Sequence, residues 1–588
     1  MGCRPRTART HLSIRRACQV VPDIPSFAVD DGFTYLVPET ADIHIGSRVR
    51  VRVSGRRLKG FVTAVFEAPE ERKLLPVDAV SGDIPSFDES MLAVLRWAAT
   101  HYVSPLSVIL RRTIPPNIPR TPNGTPRQPV SRLSGVVVVV SSSLDHATHL
   151  EGIVAEAAAV GGSTMIIAPT VLEVGRVSDA LKNRFSGHVV SATSSSSGKD
   201  STKAWSRAAT SGDSILVGTR EIVLWPVAGL VSMVVVEDSR RVMKSPSTPT
   251  LGVREIAVKR SGINGNRLTF LSPLPSLETL ALRPKVIPTP NRSWPLVEVA
   301  DRAEEPPSRS VLLDRTRIAL AGATGKGLSA FVLVPSRGYA PAFRCVRCGE
   351  LRRCTVCGTA ATRRGDCRRC GAVFGECVTC AGQHFEPLGA GLGSVRDAIA
   401  RSVGDAVGVS GEHRPITVGS ERDIVTQKPI DLAVAVDIDG MAMAPTYRAS
   451  EDALRLLVRT ANLVRRGRGN RLIVQTALPD QPVVEALRSG RPTEFLRQQL
   501  TERRRSSFPP AGELIALEVD RAIEVGTAVE DAVSTSATVL GPAAMKDRDR
   551  WLIQAKDLTP ARAAVRRLVG SLRDRGARVR VDADPIDL

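Results

Sequence analysis

The sequence lacks any apolar run near the roughly 20 residues that a membrane-spanning helix requires. The stretch Val136–Val140 is much too short and is typical of a buried strand. The first twenty residues carry five arginines but not the apolar segment of an export signal. These absences exclude a membrane or secreted protein of the usual kind, and we expect a cytoplasmic one.

Acidic residues are in short supply. The chain has 60 Asp and Glu against 80 Lys and Arg, which gives a formal net charge of +20 and a pI near 10.1. A field of this sign attracts polyanions, meaning nucleic acid or anionic lipid surfaces. A generally basic proteome would produce the same composition, so charge alone leaves both explanations open.

Cysteine is almost confined to one segment, where eight of the ten lie between Cys345 and Cys380. They form four pairs with two residues inside each pair, a spacing that lets both sulfurs face one tetrahedral zinc. Two pairs complete a tetrathiolate site, so four pairs predict two structural zinc ions with no open coordination position. A segment this short and polar has little core, so the metal supplies much of its folding free energy. The ligands are Cys345, Cys348, Cys354, Cys357, Cys367, Cys370, Cys377 and Cys380.

The charge of this module limits what it can bind. Residues 344–382 contain eight arginines and three acidic residues. With eight thiolates and two Zn²⁺ the net charge is about +1, so the module is no strong attractor of polyanions. Docking a protein or acting as a spacer is at least as good an interpretation as phosphate contact. No cysteine is spare in the part expected to fold and the histidines are scattered, so nucleophilic catalysis has no support.

At 588 residues the chain is too long for one core. Strand-like alternation near the N-terminus is followed by long stretches of strand–helix alternation, which predict parallel sheets covered by helices. Proline-rich breaks mark linkers, one of them over 284–309. The predicted α/β organisation is a disordered tail (1–19), a β-rich domain (20–118), a linker (119–134), a first lobe (135–285), a second lobe (308–343 and 383–500) interrupted by the cysteine module (344–382), and a small α+β C-terminal domain (501–588).

Short strings stand in a characteristic order along the chain: Phe33-Thr-Tyr-Leu-Val-Pro38, His101-Tyr-Val-Ser-Pro105, Gly218-Thr-Arg220, Ser336-Arg-Gly-Tyr-Ala-Pro341 and Val581-Asp-Ala-Asp-Pro585. With the cysteine pairs placed just after Tyr-Ala-Pro, this order resembles primosomal protein N′, the PriA-type family of replication-restart helicases. The resemblance covers nearly the whole chain from about Val20. It implies a 3′-end DNA-binding domain at the N-terminus and two RecA-like helicase lobes, the second carrying the inserted zinc module.

The resemblance also implies how the cysteines pair. The outer pairs (Cys345, Cys348, Cys377, Cys380) would hold one zinc, and the inner pairs (Cys354, Cys357, Cys367, Cys370) the other. Only five residues separate Cys348 from Cys354, which agrees with this nesting.

The ATP site of the family has no counterpart in this sequence. It needs a glycine-rich loop with a lysine after the first strand of the first lobe. Here that loop, Ser141–Thr148, has neither residue, so its backbone cannot wrap closely around a phosphate. By the resemblance Glu237 and Asp238 occupy the Mg²⁺ motif, while Ser239 replaces the glutamate that orients water. The carboxylate pair could still bind Mg²⁺ or simply cap a strand.

A second nucleotide-binding motif of the family also lacks one of its key residues. The family string that supplies arginines to the γ-phosphate falls on Val458–Arg465. Asn462 takes the place of the first arginine, and only Arg465 remains. ATP and Mg²⁺ are therefore not expected as cofactors.

The resemblance also points to DNA contacts. The family holds a 3′ end with a Phe-Asp pair and a lysine. Phe33 is present to stack on a base, or is plain core, but Thr34 replaces the aspartate and the lysine position falls on Leu75, with Lys73 nearby. Six basic residues along two strands are better candidates for phosphate contacts, against the alternative of a solvated strand edge. They are Arg48, Arg50, Arg52, Arg56, Arg57 and Lys59.

The leading interpretation is a replication-restart protein, nucleoid-associated and monomeric. It would bind abandoned or stalled forks and promote primosome assembly and reloading of the replicative helicase without its own ATP-driven unwinding. Implied partners are forked and single-stranded DNA, primosome proteins, single-stranded DNA-binding protein and the replicative helicase or its loader. Two alternatives stay open: an active ATP-dependent 3′–5′ helicase with an atypical nucleotide site, and a zinc-ribbon adaptor that binds only proteins.

Overall fold

The computed structural model describes residues 14–69, 73–115, 118, 129–288, 294–305, 310–334, 342–350, 352–356, 367, 370–373, 375–388, 391–444, 446–545 and 547–587. The string 336–341, Cys357 and most of the predicted linker lie outside these residues. The chain divides into two compact units. The first comprises Met1–Gly135, Ala147–Val236 and Val242–Leu268, and the second comprises Val136–His146, Glu237–Arg241 and Thr269–Leu588.

The N-terminal part of the first unit is an antiparallel five-stranded sheet in the order β2-β1-β4-β3-β5, followed by two helices. The predicted tail is shorter than expected, because β1 begins at Ile14. Valines on one sheet face alternate with arginines on the other, as the period-2 pattern predicts. The elements are β1 (Ile14–Pro22), β2 (Phe33–Leu36), β3 (Arg48–Val53), β4 (Arg56–Pro69), β5 (Ala79–Val80), α1 (Glu89–His101) and α2 (Leu106–Leu110).

The predicted strand–helix alternation follows. The elements are β6 (Val136–Val140), α3 (Ala147–Ala159), β7 (Ser163–Ile167), α4 (Val171–Arg184), β8 (Val189–Ala192), α5 (Gly198–Thr210), β9 (Ile215–Gly218), β10 (Leu230–Val236), α6 (Val253–Asn264), β11 (Arg267–Ser272), α7 (Leu277–Ala281) and β12 (Lys285–Pro288). In the first unit four parallel strands run in the order β10-β7-β9-β8. In the second unit β12 pairs in parallel with β6.

Two buried contacts join the N-terminal domain to the α/β part of the first unit. The Tyr102 hydroxyl accepts a hydrogen bond from Gly252 N (3.0 Å) and donates one to Gly252 O (3.4 Å), just before α6. The Trp205 indole on α5 donates to Thr113 O at 2.8 Å. Both aromatic side chains are buried, so the two parts share a core-like interface.

The second unit is built on a six-stranded parallel sheet in the order β13-β20-β19-β14-β18-β17. The break expected over 284–309 in fact contains β12 and β13. The elements are β13 (Leu296–Asp301), α8 (Asp314–Gly325), β14 (Ala330–Leu333), β15 (Ala342–Cys345), β16 (Phe385–Leu388), α9 (Leu392–Val403), β17 (Val407–Val409), β18 (Ile416–Gly419), α10 (Glu421–Ile424), β19 (Leu432–Ala435), α11 (Asp439–Ala442), α12 (Ala449–Ala461), β20 (Arg471–Thr476), α13 (Pro482–Arg488) and α14 (Pro492–Ser506).

The chain continues into a four-stranded antiparallel sheet, β22-β23-β21-β24, covered by helices. Its elements are β21 (Glu513–Asp520), α15 (Ala528–Val533), β22 (Thr538–Ala544), β23 (Arg548–Ala555), α16 (Thr559–Asp574) and β24 (Val579–Ala583). The predicted α/β class, with a β-rich N-terminal domain and parallel-sheet lobes, is confirmed. Among the described residues no helix combines the length and apolar character needed to cross a bilayer.

Candidate functional site

The cysteines of the inserted module converge into two clusters. The first joins Cys345, Cys348, Cys377 and Cys380, and the second joins Cys354, Cys367 and Cys370. Three pairs of sulfurs, those of Cys345 and Cys380, Cys348 and Cys377, and Cys354 and Cys370, are 3.4–3.6 Å apart. Four sulfurs bonded to one zinc at about 2.3 Å would be about 3.8 Å apart, so these distances are compatible with sulfurs around a single zinc ion. Cys357, the expected fourth ligand of the second cluster, lies outside the described residues.

Three of the cysteine pairs adopt the same turn. In each, the residue after the second cysteine has a left-handed backbone, with φ of 76°, 77° or 55°, and its N–H donates to the carbonyl of the first cysteine. Glycine fills this position twice because it takes positive φ without strain. This repeated turn points both sulfurs of a pair inward. The donors and acceptors are Gly349 and Cys345, Gly371 and Cys367, and Ala381 and Cys377.

Close packing surrounds the first cluster. A Cβ on Gly382 would lie 2.9 Å from the Cys345 sulfur, so only glycine fits there. Arg352 is buried, with its guanidinium 3.8 Å from the Phe385 ring centroid and its Nη2 donating to Gly375 O. This arginine supports the module from within instead of facing solvent.

The loop after β6 is filled by its own side chains. The Ser141 hydroxyl accepts from Ser143 N (3.2 Å) and donates to Ser143 O (2.6 Å), while the Ser143 hydroxyl accepts from Asp145 N (3.0 Å). Two backbone amides of this loop, Ser143 N and Asp145 N, are therefore already hydrogen-bonded within it.

Glu237, the first carboxylate at the family's Mg²⁺ motif, is surrounded by two arginines and a histidine. Its carboxylate lies 3.0 Å from Arg459 Nε, 3.5 Å from Arg240 Nη1 and 3.7 Å from His146 Nε2, and the four side chains are 2–7% exposed. Burial raises the pKa of Glu237, but Arg459, His146 and Arg240 outweigh it and hold the pKa well below its usual range. Two guanidinium groups therefore lie beside the carboxylate at the position where a metal ion would bind.

Glu421 at the start of α10 extends this cluster. It accepts from Arg455 at 2.5 Å and from Arg459 at 3.2 Å, and Arg240 lies 3.8 Å away. Arg455 and Arg459 are one turn apart on α12, so both reach the same carboxylate. The result is a buried ion cluster, which we define as His146, Glu237, Arg240, Glu421, Arg455 and Arg459.

The other nucleotide candidates lie elsewhere. Asp238 accepts hydrogen bonds from Ser276 Oγ (2.6 Å) and Thr279 Oγ1 (2.9 Å) at the start of α7. Arg465 is half exposed and pairs with Asp431 at 3.2 Å, whereas Arg459, which sequence reasoning missed, reaches Glu237. The sequence signal that could have identified Arg459 is its position four residues after Arg455, with both arginines inside the apolar pattern of α12.

The ion cluster predicts a pH dependence of stability. Burial raises the pKa of Glu421, but Arg455, Arg459 and Arg240 outweigh it and lower the pKa to about 2. The ionised Glu421 carboxylate therefore makes its full contribution to the free energy of unfolding above about pH 4.5, and this contribution is lost as the pH falls toward 2. The contribution is at most about 3 kcal/mol. Urea unfolding between pH 6 and pH 2.5 should show a weaker pH dependence in Glu421→Gln than in the wild type. An equal dependence in both proteins would contradict the cluster.

The DNA candidates of the N-terminal domain are mostly accessible. The Phe33 ring is 41% exposed, and Thr34 Oγ1 donates to Gln19 Oε1 at 3.4 Å. Leu75 and Lys73 are exposed, and Leu75 O accepts from Leu36 N beside β2. Five of the six basic residues are exposed, whereas Arg48 is not.

One cysteine lies outside the module in the folded part, contrary to expectation. Cys18 is in β1 and fully buried. Burial raises the pKa of its thiol to about 11, against a smaller opposing effect of Arg16. A thiol that stays protonated and inaccessible is not a nucleophile, so nucleophilic catalysis still has no support.

Family models match both ends of the chain. Residues 19–115 match the 3′DNA-binding domain of PriA, and residues 504–586 match the primosomal protein N C-terminal domain.

Relatives align over most of the length. Replication restart protein PriA of Synechocystis sp. is 23% identical, covering 67% of this chain and 55% of that protein. Probable replication restart protein PriA of Mycobacterium tuberculosis is 25% identical (83% and 85%), and PriA of Rickettsia prowazekii is 22% identical (87% and 89%). RecG bound to a three-way DNA junction covers 63% of this chain and 44% of its own at 10% identity and a TM-score of 0.35, too distant to compare sites. The two domain matches and the PriA relatives together support the assignment of this chain to the PriA-type primosomal proteins.

Proposed function

We propose that this protein binds abandoned or stalled replication forks and promotes primosome assembly and reloading of the replicative helicase without hydrolysing ATP. The absence of ATP hydrolysis is inferred from the buried ion cluster, in which Arg459 and Arg240 neutralise Glu237. Breaking buried pairs to admit Mg²⁺ would cost several kcal/mol before any nucleotide bound. The self-bonded loop at Ser141–Asp145 supports the same conclusion.

Fork binding and a role in replication restart are supported by the PriA relatives and by the 3′DNA-binding domain match. The partners we propose are forked and single-stranded DNA, single-stranded DNA-binding protein, primosome proteins and the replicative helicase or its loader. The two cysteine clusters would each hold a structural zinc, since thiolates at this spacing suit that ion. All ligand positions would be filled by sulfur, so the metal would organise a docking surface and take no part in chemistry.

Forked DNA should bind the protein equally well with and without ATP, and should not stimulate phosphate release above the protein-free rate. Affinity should fall on the order of 10³-fold between 50 and 200 mM salt, as expected for about six phosphate contacts. Fluorescence anisotropy and a phosphate-release assay measure these two quantities.

Two results would point to the alternatives. DNA-stimulated phosphate release that Glu237→Gln abolishes would establish the ATPase activity that the helicase alternative requires, because that carboxylate would then serve Mg²⁺. Binding that is absent or insensitive to salt would favour a zinc-ribbon adaptor for proteins alone. The matched control for Glu237→Gln is Glu485→Gln, which removes one exposed carboxylate from α13.

A further inference from the structure

We propose that the β3–β4 hairpin carries a second DNA contact, a track of four cations that binds backbone phosphates of the duplex arm of a fork. This inference rests on the proposed function, since it takes fork DNA as the ligand. We call the four residues the cation ladder: Arg50, Arg52, Arg57 and Lys59.

The register places like charges directly opposite each other. Arg50 faces Lys59 and Arg52 faces Arg57 across the antiparallel pair, so each rung of the cation ladder is two cations on one sheet face. Like charges opposite one another destabilise a strand pair. The hairpin keeps two such rungs in succession, and a bound polyanion would relieve their repulsion.

Little negative charge offsets the cation ladder. Among the described residues no carboxylate lies within ion-pair distance of Arg50 or Lys59. Arg52 and Arg57 share a single carboxylate, Asp78, at 3.5 and 3.0 Å. Their side chains are 57% and 68% exposed, so they are available to a ligand.

The fold does not need these cations for its core. In β3 the alternate residues Val49 and Val51 are fully buried and form the core face. Arg48 is different, because its side chain is 11% exposed, lies 3.6 Å from Asp23 and covers the Phe61 ring. Arg48 is therefore structural and forms no part of the cation ladder.

The cation ladder and Phe33 lie on opposite faces of the sheet. Val20 is paired with both Phe33 and Val62, so these three side chains share the core face. Val62 follows Phe61, which is paired with Arg48 on the other face. A base stacked on Phe33 is therefore across the sheet from the rungs, and the two contacts would engage different parts of the DNA.

Spacing and chemistry favour a DNA backbone. Successive rungs are about 7 Å apart along the strands, about twice the 3.4 Å rise per phosphate along one DNA strand. The ring beside the rungs, Phe61, is fully buried and therefore offers no stacking platform for an unpaired base. A duplex arm, whose bases are paired and whose phosphates are exposed, fits these properties.

The test compares wild type with Arg50→Ala/Lys59→Ala on forked DNA and on linear duplex at several salt concentrations. The slope of log affinity against log salt should fall by about 2 in magnitude, since each phosphate contact contributes about 0.9. Arg96→Ala/Arg112→Ala is the matched control, because it removes two exposed cations from the same domain and should leave the slope unchanged. The melting temperature of the ladder variant should stay equal or rise, because repulsion is removed.

Equal slopes in wild type and ladder variant, or an equal drop in the control, would overturn the cation ladder; equal slopes are the result expected if this face docks an acidic protein. A wild type that prefers linear duplex to forks, with the slope difference intact, would overturn the proposed function and leave the cation ladder standing.

Discussion

Arg459→Met should lower the free energy of unfolding by about 3–5 kcal/mol, because it leaves the buried carboxylate of Glu237 without its nearest cation. Arg459 is 2% exposed, so water cannot replace the lost guanidinium without opening the structure. Glu421 loses a hydrogen bond at the same time. Urea unfolding at pH 7, followed by tryptophan fluorescence and circular dichroism, measures the loss.

Two variants make this result specific to the pair. Arg468→Met removes an exposed arginine from the loop before β20 and should change stability by less than about 0.5 kcal/mol. Glu237→Gln combined with Arg459→Met should recover part of the loss, since no unpaired charge then remains buried. A single-variant loss below about 1 kcal/mol would mean that the carboxylate is solvated, and the case against Mg²⁺ binding would fail with it.

The purified protein should contain two zinc ions per chain, and Cys377→Ser should reduce this to one by removing a buried ligand of the first cluster. Structural zinc contributes about 10–16 kcal/mol to the folding of zinc-finger peptides, so the emptied half of the module should unfold. Inductively coupled plasma mass spectrometry gives the metal content, and limited proteolysis reports cleavage within 342–388.

Cys18→Ser is the control for this experiment. It changes a buried cysteine that lies in β1, outside both clusters, and should leave two zinc ions and the protease pattern unchanged. Two zinc ions retained in Cys377→Ser would contradict the predicted ligand set.

The sequence was sufficient for features that depend on local spacing. The cysteine pairs, the valine–arginine alternation of β3 and the strand–helix alternation each follow a short period, and each appears in the structure. β1 was missed because two of its first residues, Arg15 and Arg16, continue the arginine-rich composition of the segment interpreted as a tail. β12 and β13 were missed because prolines and charges around them suggested a break.

The ion cluster could not be predicted from the spacing of neighbouring residues in the sequence. Glu237 and Arg459 are separated by more than two hundred residues, and only the packing of α12 brings them together. The alignment to a family motif pointed instead to Arg465, which pairs with Asp431. In the sequence His146 is one of several scattered histidines, and only the fold of the loop after β6 brings it beside Glu237. Long-range charge pairing of this kind requires the tertiary structure.

The two hydrogen bonds between Tyr102 and Gly252 have a mechanical consequence. Together with the Trp205–Thr113 hydrogen bond they attach the N-terminal domain to the α/β part of the first unit, in addition to the covalent connection along the chain. Tension applied by DNA to the N-terminal sheet would pass through α1 into α6 without stretching that connection. The N-terminal domain would thus transmit a pull on the DNA directly to the α/β part of the first unit.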